Sequence, residues 1–276
     1  KIDKYNNPEK NLDSYYEGMT VGEIWGYETE GFFTSAEDIA NHASQKLYYA
    51  SNSGTWLPGD IKFKDLNDDN VIDYGTNKVG DPGDRKVIGN TTPRYTYSFN
   101  VGGDWNGIFF SAFFQGVGKQ DWWPGNDNAL FWGQYNRPYN NIPKSMIGEI
   151  WSEENPNTYF PRYRGYVALQ STRELSVIQT KYLQNVAYLR LKNLQIGYNI
   201  PKNILAATKM QAARIYLSAE NIFCWSPLYK HTKNFDVTNI YGEDAEAKNV
   251  ASDGGTNSII SNGGRSYSYP LLKSIS

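Results

Sequence analysis

The 276-residue chain carries 27 Lys and Arg against 29 Asp and Glu, a near-neutral balance that offers no basic stripe and so no electrostatic basis for binding nucleic acid. Its single cysteine, Cys224, cannot close an internal disulfide and is too little thiol for a structural zinc site. No run approaches the roughly 20 apolar residues of a spanning helix, whereas a spanning strand needs only about 9 to 11 with alternate residues facing lipid, so low mean hydropathy does not exclude a β-barrel.

The chain opens on a polar, turn-like run, Lys1 to Asn11, without a signal peptide, and is expected to be part of a longer protein. A first strand fits 21–30, followed by a long loop over 31–93 in which Ser35-Ala36-Glu37-Asp38 caps a helical turn. The cleanest strand covers 94–103: Tyr95, Tyr97, Phe99 and Val101 share one face, and Thr96, Ser98 and Asn100 the other. Asp104-Trp105-Asn106-Gly107 is an Asn-Gly turn signal, and a strand over 108–117 returns with Phe110, Ala112 and Phe114 on one side.

A second long loop spans 118–186, with helical spacing of Met146, Ile147 and Ile150 inside Lys144 to Trp151. In the strand over 187–200, Leu189 and Leu191 have one parity and Leu194, Ile196 and Tyr198 the other. A β-bulge near Asn193 would keep all five on one face. After the short connection Pro201 to Gln211, a strand over 213–223 sets Ile215, Leu217 and Ala219 against Arg214, Ser218 and Glu220. A third long loop, 225–269, contains a Gly/Asn/Ser run from Ser252 to Gly264 that reads as a mobile tip, and a last strand starts at 272–276.

Long and short connections therefore alternate. Structureless loops beyond about 12 to 15 residues are uncommon in compact domains, but outer-membrane barrels pair short periplasmic turns with long extracellular loops. On this pattern the fold class is all-β, a segment of a transmembrane antiparallel barrel whose long loops are extracellular. Thr96, Ser98, Asn100, Arg214, Ser218 and Glu220 would then face the lumen, and Tyr95, Tyr97, Phe99, Ile215 and Leu217 the lipid.

Asp65, Asn67, Asp69 and Asp73 stand at positions 1, 3, 5 and 9 of an EF-hand-like loop, with the Val71 carbonyl at position 7, a spacing that curls hard oxygens around Ca²⁺. Position 6 is Asn70 rather than Gly and position 12 is Thr76 rather than Glu; the bland reading is an ion-free Asx-turn loop. Trp122, Trp123, Trp132 and Tyr135 crowd one loop and Tyr229 and His231 another. Such rings could stack on a sugar or could pack their own loops or a barrel's interfacial girdle. Glu149, Glu153 and Glu154 read as surface acids, and neither His42 nor His231 has a nucleophile pattern around it, so no enzymatic chemistry is expected.

Several segments resemble one family. Tyr188 to Tyr198 and Ile215 to Phe223 are similar to the last barrel strands of SusC/RagA-type TonB-dependent transporters. So, in the same order, are Glu17-Gly18 with Gly22 to Tyr27, Gly59 to Phe63 with Asp65 to Asp73, Ile88-Gly89-Asn90, Phe113 to Gly116 and Trp151 to Pro156. The resemblance implies the C-terminal part of a 22-stranded barrel, the size of outer-membrane transporters, in the outer membrane of a Gram-negative bacterium. It further implies an N-terminal plug and a TonB contact outside this chain, a SusD-like surface lipoprotein as partner, and import of oligosaccharides or peptides. The family's last strand usually closes on an aromatic residue, which this chain lacks, Ser276 falling just short of it. The competing readings are a secreted, Ca²⁺-stabilised carbohydrate-binding or glycan-hydrolysing β-domain and, more weakly, an adhesin or scaffold barrel without transport.

Overall fold

A computed structural model of the chain describes residues 1–47, 55–125, 128–136, 139, 142, 144–165, 169, 174–206, 210–240 and 271–276. The run from Ser252 to Gly264 lies outside the described residues. The fold is mostly strand with few helical turns, and it divides into two compact units. One comprises 1–92, 121–184 and 240–267, and the other 93–120, 185–239 and 268–276.

The second unit is a five-stranded antiparallel sheet built from β1 (Arg94–Trp105), β2 (Ile108–Lys119), β3 (Tyr188–Asn199), β4 (Arg214–Trp225) and β5 (Ser274–Ile275), in the spatial order β5-β4-β3-β2-β1. Asn106 and Gly107 both have positive φ (48° and 85°), the two-residue hairpin geometry whose twist matches that of the strands it joins. Between Leu191 and Asn193, β3 shifts register against β2, which makes Lys192 the extra residue of a bulge, while against β4 it is β4 that carries one residue more, at Asn221 with its positive φ (52°). The bulge restores Leu194, Ile196 and Tyr198 to the face of Leu189 and Leu191. The sheet is open: β1 and β5 have one strand neighbour each among the described residues, and no closed barrel is formed.

The first unit is held by short pairings: Glu23–Tyr27 with Arg85–Asn90, Thr29–Phe32 with Ile61–Phe63, Ser44–Gln45 with Val71–Ile72, and Ile150–Trp151 with Phe160–Arg162. The segment 21–30 thus forms two strands inside this unit, and neither pairs with the five-stranded sheet. The cause is local. Ile24 and Tyr27 are both buried, and a Cβ on Gly26 would stand 2.6 Å from Ile88 Cδ1 and 2.7 Å from the Ile178 carbonyl, so the segment has no apolar face to offer lipid. Ser35 caps the helical turn Ala36–Ala40 by accepting from the Asp38 amide. Lys144 to Trp151 forms only a 3-10 turn, Lys144–Met146, before entering a strand at Ile150.

The long connections are thus not structureless. They carry their own core, with Phe33, Phe63, Ile61, Ile72 and Leu47 fully buried in one part and Trp132, Tyr135, Tyr182 and Leu175 in another.

Candidate functional site

The sheet's chemistry lies in the contrast between its faces. Aligned across β1 to β4, one face carries the rows Tyr97-Gly116-Leu189-Trp225, Phe99-Phe114-Leu191-Phe223, Val101-Ala112-Leu194-Ala219, Gly103-Phe110-Ile196-Leu217 and Trp105-Ile108-Tyr198-Ile215. Every residue in these rows is apolar, aromatic or Gly. The Phe99 and Phe114 rings stack across the hairpin with centroids 4.8 Å apart, and Tyr97 lies over Gly116, where a Cβ would meet the ring at 2.5 Å. The face is uncovered: Ile215 is 70%, Leu217 57% and Trp105 75% exposed. Contiguous apolar surface on this scale is not tolerated in water and marks contact with lipid or protein. Aromatic residues sit at both ends of the band, Tyr97 and Trp225 at one and Trp105 and Tyr198 at the other, as expected where a strand crosses two membrane interfaces.

The opposite face is mainly polar, with Phe109, Phe113 and Tyr216 interspersed. Asn100, Ser111, Gln195, Ser218, Glu220, Ser274 and Ser276 lie on it. Ser111 Oγ donates to Asn100 Oδ1 at 3.2 Å, Ser218 and Ser276 share a hydroxyl bond of 2.8 Å, and the Arg214 guanidinium stands 5.2 Å from the Phe109 ring centre. One face can meet hydrocarbon while the other meets water, and the backbone between them is satisfied by the ladder.

The acidic loop curls in an orderly way. Asp65 accepts from the amides of Asp68 (2.7 Å) and Asn70 (2.8 Å), Asn67 from Asp69 (3.1 Å), Asp69 from Val71 (2.7 Å), and Asp73 from Gly75 (2.7 Å). Asp68 and Asn70 take positive φ (60° and 63°), a conformation Asn and Asp tolerate. Sequence spacing missed Asp84, which is fully buried and clamps the loop by accepting from Leu66 (2.7 Å) and Asp73 (2.9 Å). Burial pushes its carboxyl up, as do the nearby charges of Asp65 and Asp69, against the pull of those two amides. Among the described residues, no group of three or more His, Cys, Asp or Glu side chains is disposed to hold a metal ion. A cation here would depend on a mixed donor set that includes Asn67 and the Val71 carbonyl.

Trp122, Trp123, Trp132 and Tyr135 are all buried in the first unit. Trp123 and Trp132 meet edge-on at 6.0 Å, Trp132 and Tyr182 at 5.3 Å, and Tyr135 stacks on Phe160 at 5.6 Å. Trp132 Nε1 donates to the Gly125 carbonyl and the Tyr135 hydroxyl to that of Pro161, both at 2.6 Å. Their ring faces therefore serve the core. Tyr229 is half-buried and His231 exposed, in the second unit. Glu149, Glu153 and Glu154 are exposed, as the sequence suggested.

Two quoted motifs meet in space. Gly59 (φ +90°) lies against Trp151, whose ring a Cβ would approach to 2.3 Å, and the Arg162 guanidinium covers that ring 4.6 Å from its centre. Next to them, fully buried Asp60 pairs with Arg164 at 2.6 Å; burial drives its carboxyl up, opposed by the Leu57 amide and the arginine. No sequence signal linked positions 60 and 164.

No family model matches the chain. It is 30% identical over 211 residues to TonB-dependent receptor P3 of Formosa agariphila, covering 76% of this chain and 18% of that protein. It is 25% identical over 202 residues to TonB-dependent receptor P26 of the same organism, covering 72% and 18%. The chain spans about a fifth of the length of the curated relatives it matches. Among solved structures, the RagAB peptide transporter shares its fold, at 21% identity and a TM-score of 0.50, over 82% of this chain and 21% of that one.

Proposed function

We propose, from the premise that this chain is a relative of the TonB-dependent receptors, that it forms part of the wall and outer loops of an outer-membrane importer of the SusC/RagA type. The observation that carries the proposal is the two-faced sheet: an exposed, wholly apolar band ending in aromatic rows, backed by a polar face. Lipid leaves no water to satisfy backbone amides, so a spanning sheet must be closed; the free edges of β1 and β5 are where further strands would add to complete a 22-stranded barrel. The polar face would line the pore, and the long connections would lie on the cell exterior.

In this reading a SusD-like lipoprotein caps the importer, TonB drives it, and the cargo is an oligosaccharide or a peptide. The peptide alternative draws support from the transporter that shares the fold. Tyr229 and His231 are the members of the aromatic set accessible to cargo, while Trp122, Trp123, Trp132 and Tyr135 hold the interior of the first unit. The 65–73 loop would take Ca²⁺ as a structural staple through its mixed oxygen donors. The relatives bear receptor names, and no catalytic role is assigned.

The test is deletion of the full-length gene, followed by growth on a panel of defined oligosaccharides and oligopeptides as sole nutrient, with and without a protonophore. Loss of growth on one class, together with uptake that collapses when the proton gradient is removed, is expected. Unchanged growth on every cargo, or recovery of the full-length protein from the aqueous fraction, would defeat the proposal.

A further inference from the structure

We infer that residues 226–239 form a strap laid across the polar face of the sheet, clamped there by a buried ion pair between Arg190 and Asp236. Arg190 lies on β3 in register with Gln115 of β2 and Cys224 of β4, and Gln115 in register with Ser98 of β1, so its side chain belongs to the polar face. The chain leaves β4 at Trp225 and turns at once. Ser226 caps the short turn Pro227–Lys230 by accepting from the Leu228 amide, and a second turn covers Val237–Asn239.

Two side chains then return to the sheet. The Tyr229 hydroxyl donates to Cys224 Sγ at 3.9 Å and accepts from the Val237 amide. Asp236 pairs with Arg190 and is nearly enclosed: the two side chains are 5% and 3% exposed.

Asp236 is a convergent clamp. Besides Arg190, its Oδ1 accepts from the Thr238 amide (3.0 Å) and hydroxyl (2.8 Å), and its Oδ2 from the Leu271 amide (2.9 Å), which fixes the point where the chain re-enters the sheet toward β5. Leu228, Phe235 and Val237 are buried, so the strap presses an apolar underside inward rather than extending into solvent. A solvated loop would forfeit the favourable burial of Phe235, and an enclosed carboxylate costs free energy unless it is paired, so both point to a segment held down.

Resting on the reading that the polar face lines a pore, the strap narrows that pore at the end where the long connections leave the sheet. The buried ion pair and the Tyr229 hydroxyl tie it to the wall above the buried Leu228, Phe235 and Val237, and removing one partner of the pair leaves the other charge stranded.

Cys224 reports on the strap because its thiol lies beneath Tyr229. The experiment uses the full-length importer in native outer membranes, with any cysteine elsewhere in it replaced by serine, and a charged methanethiosulfonate reagent added from outside. Cys224 is expected to react about tenfold or more faster in Asp236→Asn than in the wild type, because the clamp is lost, with Tyr229→Phe giving a smaller increase. Heat-dependent gel mobility shows whether each variant has assembled; if Asp236→Asn does not, the wild type and Tyr229→Phe decide.

A wild-type thiol that reacts at the rate of a free thiol overturns the strap whatever the variants do. Leu217→Cys in a Cys224→Ser background separates the two readings. If that lipid-side position labels freely while wild-type Cys224 stays protected, the membrane assignment fails and the strap stands.

Discussion

Placing an arginine at successive heights of the apolar band probes whether that face meets hydrocarbon. From the Tyr97 row to the Trp105 row the strand advances eight residues, about 26 Å along the chain at about 3.3 Å each and about 20 Å vertically at a tilt of roughly 40°. With the aromatic side chains extending past both rows, this approaches the band of about 25 Å that such barrels present to lipid. Val101 is midway and faces the same side, in register with Ala112, Leu194 and Ala219, while Ile215 sits in the Trp105 row at the rim. Val101→Arg should therefore destabilise the inserted full-length protein by about 2–4 kcal/mol, and Ile215→Arg by only about 0–1 kcal/mol. Ser98→Arg, on the opposite face, should cost no more than a surface change, within about 0.5 kcal/mol. In reversible refolding into lipid vesicles, followed by tryptophan fluorescence across a denaturant series, the Val101 variant should shift the folding equilibrium by roughly 30- to 700-fold. Equal costs at Val101 and Ile215, or a larger cost at Ser98 than at Val101, would refute the assignment of faces.

Other perturbations separate packing roles from cargo roles. Gly59→Val drives a side chain into Trp151 at a positive-φ position and should destabilise the first unit by about 1–3 kcal/mol, seen as earlier cleavage in limited proteolysis. Trp132→Ala, which empties a fully buried site, should cost about 3–5 kcal/mol and lower the melting temperature even where cargo affinity is unchanged; the reverse pattern would make the ring a cargo contact. Calorimetric titration of the full-length protein with Ca²⁺ should give heat that disappears in Asp65→Ala and in Asp69→Ala, and its absence in the wild type would return the loop to an ion-free turn. Burial raises the Asp236 carboxyl, but the amides of Leu271 and Thr238, the Thr238 hydroxyl and the Arg190 charge together hold it below the ordinary carboxylate range. Its contribution is therefore present above its unfolded pKa and lost as pH falls through the lowered folded value. Acid melts should show a limb in that window, and Asp236→Asn should lack it at the cost of about 3–5 kcal/mol at neutral pH.

The sheet was legible in the sequence because a half-exposed strand writes its two faces as alternation, and a one-residue slip in the alternation marks a bulge. Tyr95 to Val101 gave the first, and the parity change between Leu191 and Leu194 gave the second. The first unit was not legible in the same way. Its strands are two to six residues long, too short for periodicity to register. Segment 21–30 therefore read as one barrel strand where there are two short ones with other partners. The aromatic crowding from Trp122 to Tyr135 was visible, but whether a ring offers its face or hides it depends on Phe160 and Tyr182, which arrive from distant positions.

By itself the sequence determined that this protein is built of strands with one greasy and one polar side, because side-chain alternation is a property of a single extended chain. Tertiary structure alone decided that Asp84 clamps the acidic loop, that Asp60 meets Arg164, that Gly59 seats Trp151 and that Asp236 reaches Arg190. These contacts join residues 11 to 104 positions apart, as with Asp73 and Asp84 or Asp60 and Arg164. Local propensity carries no record of such pairs, since the long connections fold back by burying their own rings and charges rather than by following any repeat.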